Sequence, residues 1–127
     1  MNDEQYRDHC HELVAEFAQM LAQRTENLPE QDPLREFALA WGKLALPGSD
    51  LYGDGPALID RLFTTYTELA PRLARQLLWF FGGDSLHYMA DDEITQFQRL
   101  EDLRLEAVAS GDTFDLRDAS AKLLNLQ

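Results

Sequence analysis

The chain has 127 residues, a net charge of −12 and a hydrophobic fraction of 45%. That length and composition fit one globular domain, so we expect a single helical domain over residues 1–127 without extensive disorder. The 11 Lys and Arg residues stand against 23 acidic residues and form no basic cluster, which argues against a nucleic-acid partner and against adhesion to an anionic membrane.

Cysteine usage and hydropathy limit the cellular location. Cys10 is the only cysteine, which excludes an internal disulfide and any site that needs several thiolates. The first twelve residues are polar, and no apolar run approaches the roughly 18 residues of a membrane span. We therefore expect a cytoplasmic protein without a membrane partner.

The first half of the chain shows helical periodicity with clear start signals. Apolar residues recur at spacings of three and four, and they predict helices over about residues 3–27, 33–46 and 57–69. Asn2 or Asp3 can cap the first helix, and Asp32 followed by Pro33 is typical of the start of the second. Residues 47–56 contain three glycines and two prolines, so we expect them to form the longest loop.

A fourth helix is expected between Pro71 and the adjacent glycines Gly82 and Gly83. Proline disfavours a helical conformation in the residue before it but is accepted in a first turn, so Pro71 should open this helix. The segment is apolar around much of its circumference, which predicts that it is the central helix. Asp84, directly after the glycines, should cap the next helical turn.

A fifth helix should begin at a cap formed by Asp91 or Asp92 and end at Gly111. Asp115 can cap a last short helix. No segment alternates between apolar and polar residues over the length of a strand. The sequence therefore predicts an all-α fold, an irregular bundle of five to six helices.

The stretch WFFGGDSLHYMADDEI, which begins at Trp79, is the candidate functional region. Consecutive aromatic residues cannot all face one direction on a helix, so one side of this segment could meet a partner. Trp79, Asp84, His87 and Tyr88 are the candidates for an interaction surface or a pocket. The alternative is architectural: Asp84 caps a helix and the ring of His87 packs beside Trp79 or Tyr88.

An Asp-x-x-His pattern occurs twice and suggests a weak metal hypothesis. Asp8 with His11, and Asp84 with His87, are three residues apart and share a helix face. Di-metal carboxylate bundles use Glu-x-x-His pairs in this way. A carboxylate that caps a helix is a poor ligand, however, and no nucleophile with an activating base can be assembled. We expect no cofactor and no catalytic residue.

The segment LLWFFGGDSLHYMADDEITQFQRLEDLR, with the tail LLNLQ, resembles a family of short bacterial proteins of unassigned function. Some members of that family carry a dehydrogenase label. The resemblance implies no established reaction, so no catalytic residue is carried over. The sequence gives the label no support, because it has no strand followed by a glycine-rich turn and a helix.

These observations leave three hypotheses. The leading one is a non-enzymatic cytoplasmic protein that acts by binding another protein, with a second copy of itself (a homodimer) as one such partner. The alternative is a small metal- or ligand-binding helical protein with a pocket near Asp84 and His87. The third is an acidic mimic that blocks the basic surface of a nucleic-acid-binding protein.

Overall fold

The computed structural model describes residues 2–111, 114–116 and 119, and none of these lies in a strand. The prediction of an all-α fold is confirmed. The helices are α1 (Asp3–Thr25), α2 (Pro33–Leu44), α3 (Leu51–Thr65), α4 (Arg75–Phe81), α5 (Asp91–Ser110) and two 3-10 helices, Ala70–Arg72 and Gly83–Tyr88. Within the described part of the chain, no helix combines the length and apolar character that a membrane crossing requires.

Two compact units emerge from the contacts: residues 10–88, and the described residues among 1–9 and 89–127. The single domain expected over residues 1–127 stays a prediction. Each unit has buried apolar residues of its own, and Cys10 is fully buried.

Side-chain caps fix the starts of the first three α-helices, as the sequence indicates for two of them. Asn2 Oδ1 accepts a hydrogen bond from Gln5 N at 2.8 Å, and Gln5 Oε1 accepts one from Asn2 N at 2.9 Å. Asp32 Oδ1 accepts from Leu34 N at 2.9 Å, and Asp50 Oδ1 accepts from Gly53 N at the same distance. These carboxylates and amides satisfy N–H groups that the first helical turn leaves without partners.

The core of the 10–88 unit is organised around α3, which contacts α2, α4 and the 3-10 helix Gly83–Tyr88. The fourth helix, which was expected to be central, has four buried residues and contacts α3 and the same 3-10 helix. Aromatic rings of α1, α2 and the end of α3 form one side of this core. Trp41 meets Phe17 edge to face at 4.8 Å between ring centroids, and the ring of Phe37 lies 4.7 Å from that of Tyr66. Aromatic pairs in such geometries add to the stabilisation from apolar burial.

The long loop expected over residues 47–56 is also a wrong prediction, because α3 begins at Leu51. Tertiary contacts override the low helix propensity of its glycines and Pro56. Leu51 is buried, and Gly55 lies directly against Phe81 of α4. A Cβ atom at Gly55 would sit 2.3 Å from Phe81 Cε1, so only glycine permits this approach of the two helices.

The starts of the later helices differ from the prediction in three places. Pro71 lies in the 3-10 helix Ala70–Arg72, and α4 begins only at Arg75, because Leu73 and Ala74 are extended, with ψ angles of 133° and 125°. Asp84 is the second residue of its 3-10 helix and does not precede it as a cap. The residue before α5 is Ala90, whereas Asp91 lies in the first turn, where its charge complements the helix dipole.

The smaller unit is held by a buried arginine. Arg104 of α5 is 4% exposed, and its guanidinium donates to Asp3 Oδ1 at 2.9 Å and Glu101 Oε1 at 2.8 Å. Its Cζ atom also lies 4.8 Å from the ring centroid of Tyr6. These contacts join the start of α1 to α5. Gly111, with φ of 74°, ends α5 as predicted, and most of the short helix expected after Asp115 lies outside the described residues.

Candidate functional site

The 3-10 helix Gly83–Tyr88 contains three of the four predicted candidate residues, and it exposes two of them. Gly82 and Gly83 have φ angles of 62° and 51°, so the chain turns sharply after α4 in a conformation that favours glycine. The turn leaves the side chains of His87 and Asp84 79% and 90% exposed, with His87 Nε2 3.9 Å from Asp84 Oδ1. The expectation that the ring of His87 packs beside aromatic residues is wrong, because that ring lies in solvent.

Tyr88, in contrast, forms contacts within the 10–88 unit through its ring, its hydroxyl and its backbone carbonyl. Its ring stacks on Phe63 at 4.4 Å between centroids, and its hydroxyl donates to Asp60 Oδ1 at 2.9 Å. Its carbonyl accepts a hydrogen bond from Arg75 Nη2 at 2.7 Å. The bond to Asp60, with some burial and the negative charge of that carboxylate, raises the pKa of Tyr88 above its ordinary value. Tyr88 thus ties the 3-10 helix to α3.

Trp79, the remaining candidate, is half-buried near the end of α4. Its neighbours on that helix are the other two of the three consecutive aromatic residues. Phe80 and Phe81 are buried, their rings contact each other at 5.3 Å between centroids, and Phe80 also meets Tyr52 at 4.9 Å. Most of this segment's apolar surface is therefore used in packing α4 against α3.

The weak metal hypothesis named Asp8, His11, Asp84 and His87. Among the residues that the structure describes, no group of three or more His, Cys, Asp or Glu side chains is arranged to hold a metal ion. Asp84 and His87 are adjacent on the surface, but a pair of exposed ligands alone fills few of the coordination positions that protein-bound ions require.

The most exposed large apolar side chains lie on a different surface, outside the candidate stretch. Leu39 and Leu46 are each 59% exposed, the largest values among the exposed large hydrophobic residues described. Leu39 lies on α2 opposite the buried Phe37 and Trp41, and Leu46 follows two residues after the helix ends. We call the set made by Glu36, Leu39, Gly42, Lys43 and Leu46 the outer α2 face.

The outer α2 face also carries two charged residues. Glu36 and Lys43 are both exposed, and neither forms an ion pair with another described residue. They are seven residues apart, which on a helix places them almost above one another, two turns apart. Lys43 is the one lysine in the described part of the chain, so it stands out on a protein of net charge −12.

Gly42 is the least expected member of the outer α2 face. It lies inside a helix, where glycine costs about 1 kcal/mol relative to alanine. Its φ angle is not positive, and a Cβ atom built on it would meet nothing within 4 Å. Neither backbone geometry nor packing within the described chain therefore requires a glycine at this position.

The outer α2 face was not predicted from the sequence, because the second helix was identified by its buried apolar stripe. The prediction for the second helix used the residues that repeat with Phe37 and Trp41, and Leu39 falls about 160° from them around the helix. A large aliphatic residue opposite the apolar stripe, next to a mid-helix glycine, is the signal that could have identified this surface.

The helices and their surfaces define a small, acidic, all-α protein with one exposed leucine on α2 and another just after that helix. The chain belongs to the PA2817-like family, whose sequence model matches residues 2–127. This agrees with the resemblance to a family of unassigned function, and it extends the match to nearly the whole chain. No curated protein and no solved structure matches it.

Proposed function

We propose that this chain is a non-enzymatic, cytoplasmic protein that acts by binding another protein, a second copy of itself included. The observation that carries the proposal is the outer α2 face, where two leucines are each 59% exposed. Protein interfaces combine an apolar centre with a polar rim, and this face has exposed leucines together with the charges of Glu36 and Lys43.

The chemistry of the chain supports a binding role over catalysis. His87, the histidine best placed by sequence, is 79% exposed, and its nearest charged neighbour is a surface carboxylate 3.9 Å away. General acid–base catalysis needs a positioned group in a site that shields the reacting atoms from water. The exposed pair offers neither positioning nor shielding.

Charge and cysteine usage support the proposed partner class and location. A net charge of −12 opposes contact with phosphate backbones, so a protein partner is favoured over nucleic acid. Cys10, buried and the only cysteine, suits a reducing compartment such as the cytoplasm.

A photo-crosslinking experiment in cells tests the proposal. A photoreactive amino acid replaces Leu39 on the outer α2 face or, as the matched control, Ala22, an exposed residue of α1. We expect a discrete crosslinked protein, identified by mass spectrometry, from position 39 and not from position 22. Crosslinks of equal yield at both positions, or none at position 39, would contradict the proposal.

A further inference from the structure

The partner of the outer α2 face can be inferred from the arrangement of its residues. We propose that this face pairs with the same face of a second copy, the two α2 helices lying antiparallel about a two-fold axis. This inference rests on the proposed binding function and names its partner. It places Leu39 against the partner's Gly42 and Glu36 beside the partner's Lys43.

The charges on the face are self-complementary. An antiparallel pair of identical helices brings residues together when they are equally far from the two-fold axis. The midpoint between Glu36 and Lys43 falls between residues 39 and 40 of the sequence. With an axis there, Glu36 of each chain lies beside Lys43 of the other, so the pair forms twice, once on each side of the axis.

The positions of Leu39 and Gly42 give nearly the same axis. The midpoint between Leu39 and Gly42 falls between residues 40 and 41, within one residue of the midpoint for the charges. Two antiparallel helices meet by placing a large side chain of one into a gap on the other. The open space at Gly42 is such a gap, and Leu39, 59% exposed, is such a side chain.

The glycine, which the single chain does not require, is explained by this pairing. A helix keeps a glycine at a cost in stability where another backbone or side chain must approach closely. Gly55 of α3 is the example inside this chain, because Phe81 occupies the space of its missing Cβ. Gly42 would serve the partner's Leu39 in the way that Gly55 serves Phe81.

A second copy also fits the local charge better than a basic partner would. The chain is strongly acidic overall, so a basic protein could bind at many places on its surface. The outer α2 face is instead balanced, with one exposed glutamate and one exposed lysine. A surface that carries both signs in a symmetric arrangement complements itself.

A charge-swap series measured by sedimentation equilibrium tests the inference. Lys43→Glu places like charges together at both ends of the pair, and Glu36→Lys does the same with the opposite sign. We expect each single change to raise the dimer Kd by about tenfold or more. The double variant, Glu36→Lys with Lys43→Glu, restores opposite charges and should return the Kd to within about threefold of the wild-type value.

A steric variant provides an independent measurement. Gly42→Gln fills the gap with a good helix former, so the monomer should stay folded by circular dichroism while the dimer Kd rises by at least about tenfold. Gln98→Glu on α5 is the control and should leave the Kd unchanged, because this exposed residue lies outside the outer α2 face.

The outcomes separate this inference from the function on which it rests. A wild-type chain that stays monomeric up to about 100 µM, or a double variant as weak as the singles, would overturn the antiparallel pairing. If position 39 then still crosslinks to a different protein in cells, the binding function stands and only the identity of the partner is wrong. If no crosslink forms there either, both fail.

Discussion

The stretch around the 3-10 helix Gly83–Tyr88 and the outer α2 face differ in how far contacts within the chain account for their residues. Around the 3-10 helix, Phe81 packs on Gly55, and Tyr88 stacks on Phe63 and bonds to Asp60. On the outer α2 face, the side chain of Leu39 is 59% exposed, and a Cβ atom at Gly42 would have no neighbour within 4 Å. Contacts within the chain explain Phe81 and Tyr88, whereas they do not explain the exposure of Leu39 or the glycine at position 42, which is why we propose a binding surface there.

The largest effect that should separate the two regions comes from truncating apolar side chains. Phe81→Ala removes a buried ring and leaves a cavity beside Gly55, so the free energy of unfolding should fall by about 4 kcal/mol. Leu39→Ala removes a side chain that is 59% exposed and should change the free energy of unfolding by less than about 0.5 kcal/mol.

Urea denaturation checks both variants, at a protein concentration low enough to keep the chain monomeric. Similar losses for Phe81→Ala and Leu39→Ala would mean that the outer α2 face is packed within the chain. That result would remove the basis for a binding surface there.

The two helix-interior glycines should respond in opposite directions to alanine. Gly55→Ala places a Cβ 2.3 Å from a ring atom of Phe81, and we expect a loss of about 2 kcal/mol in the free energy of unfolding. Gly42→Ala meets nothing within 4 Å and should gain about 1 kcal/mol from better helix propensity.

The glycine measurement is best made in the Lys43→Glu background, in which we expect association to be weakened. A destabilising Gly42→Ala in that background would show that the monomer itself needs this glycine. The reason for placing a partner's side chain at Gly42 would then be lost.

A smaller effect should appear in the pH dependence of stability. The bond to Asp60 raises the pKa of Tyr88, so the folded chain holds the phenolic proton more tightly than the unfolded chain does. The stabilisation is therefore fully present below the ordinary tyrosine pKa of about 10 and is lost as the pH rises through the raised value.

Denaturation at several values between about pH 8 and pH 11 measures this dependence. The wild-type chain should lose stability over that range more steeply than Tyr88→Phe, which has no phenolic proton to lose. Parallel curves for the two chains would show that the Tyr88–Asp60 bond contributes nothing to the folded state.

The smallest effects are expected from the residues that looked most like a site. His87→Ala and Asp84→Ala remove side chains that are 79% and 90% exposed, and each should change the free energy of unfolding by less than about 0.5 kcal/mol. Neither should alter the dimer Kd, because both residues lie on the 3-10 helix and not on α2. A loss of association in either variant would move the binding surface to the predicted stretch.

The all-α fold class could be predicted from the sequence, because periodic apolar residues and caps such as Asp32 determine helices through residues that are close in the chain. The start of α3 was misplaced, since the fit of Gly55 against Phe81 joins residues far apart in the chain. The outer α2 face was missed although Leu39 stands opposite the predicted apolar stripe, because single exposed leucines are common on protein surfaces. The structure adds the degree of exposure, 59% for Leu39, and the open space at Gly42.

The mass of the wild-type chain in solution tests the central claim most directly. Sedimentation equilibrium over about 1 to 100 µM should show a reversible rise from the 14.5 kDa of one chain towards twice that mass, and Leu39→Asp should abolish the rise. A wild-type mass that stays at one chain throughout, or a Leu39→Asp variant that associates as strongly as the wild type, would contradict it.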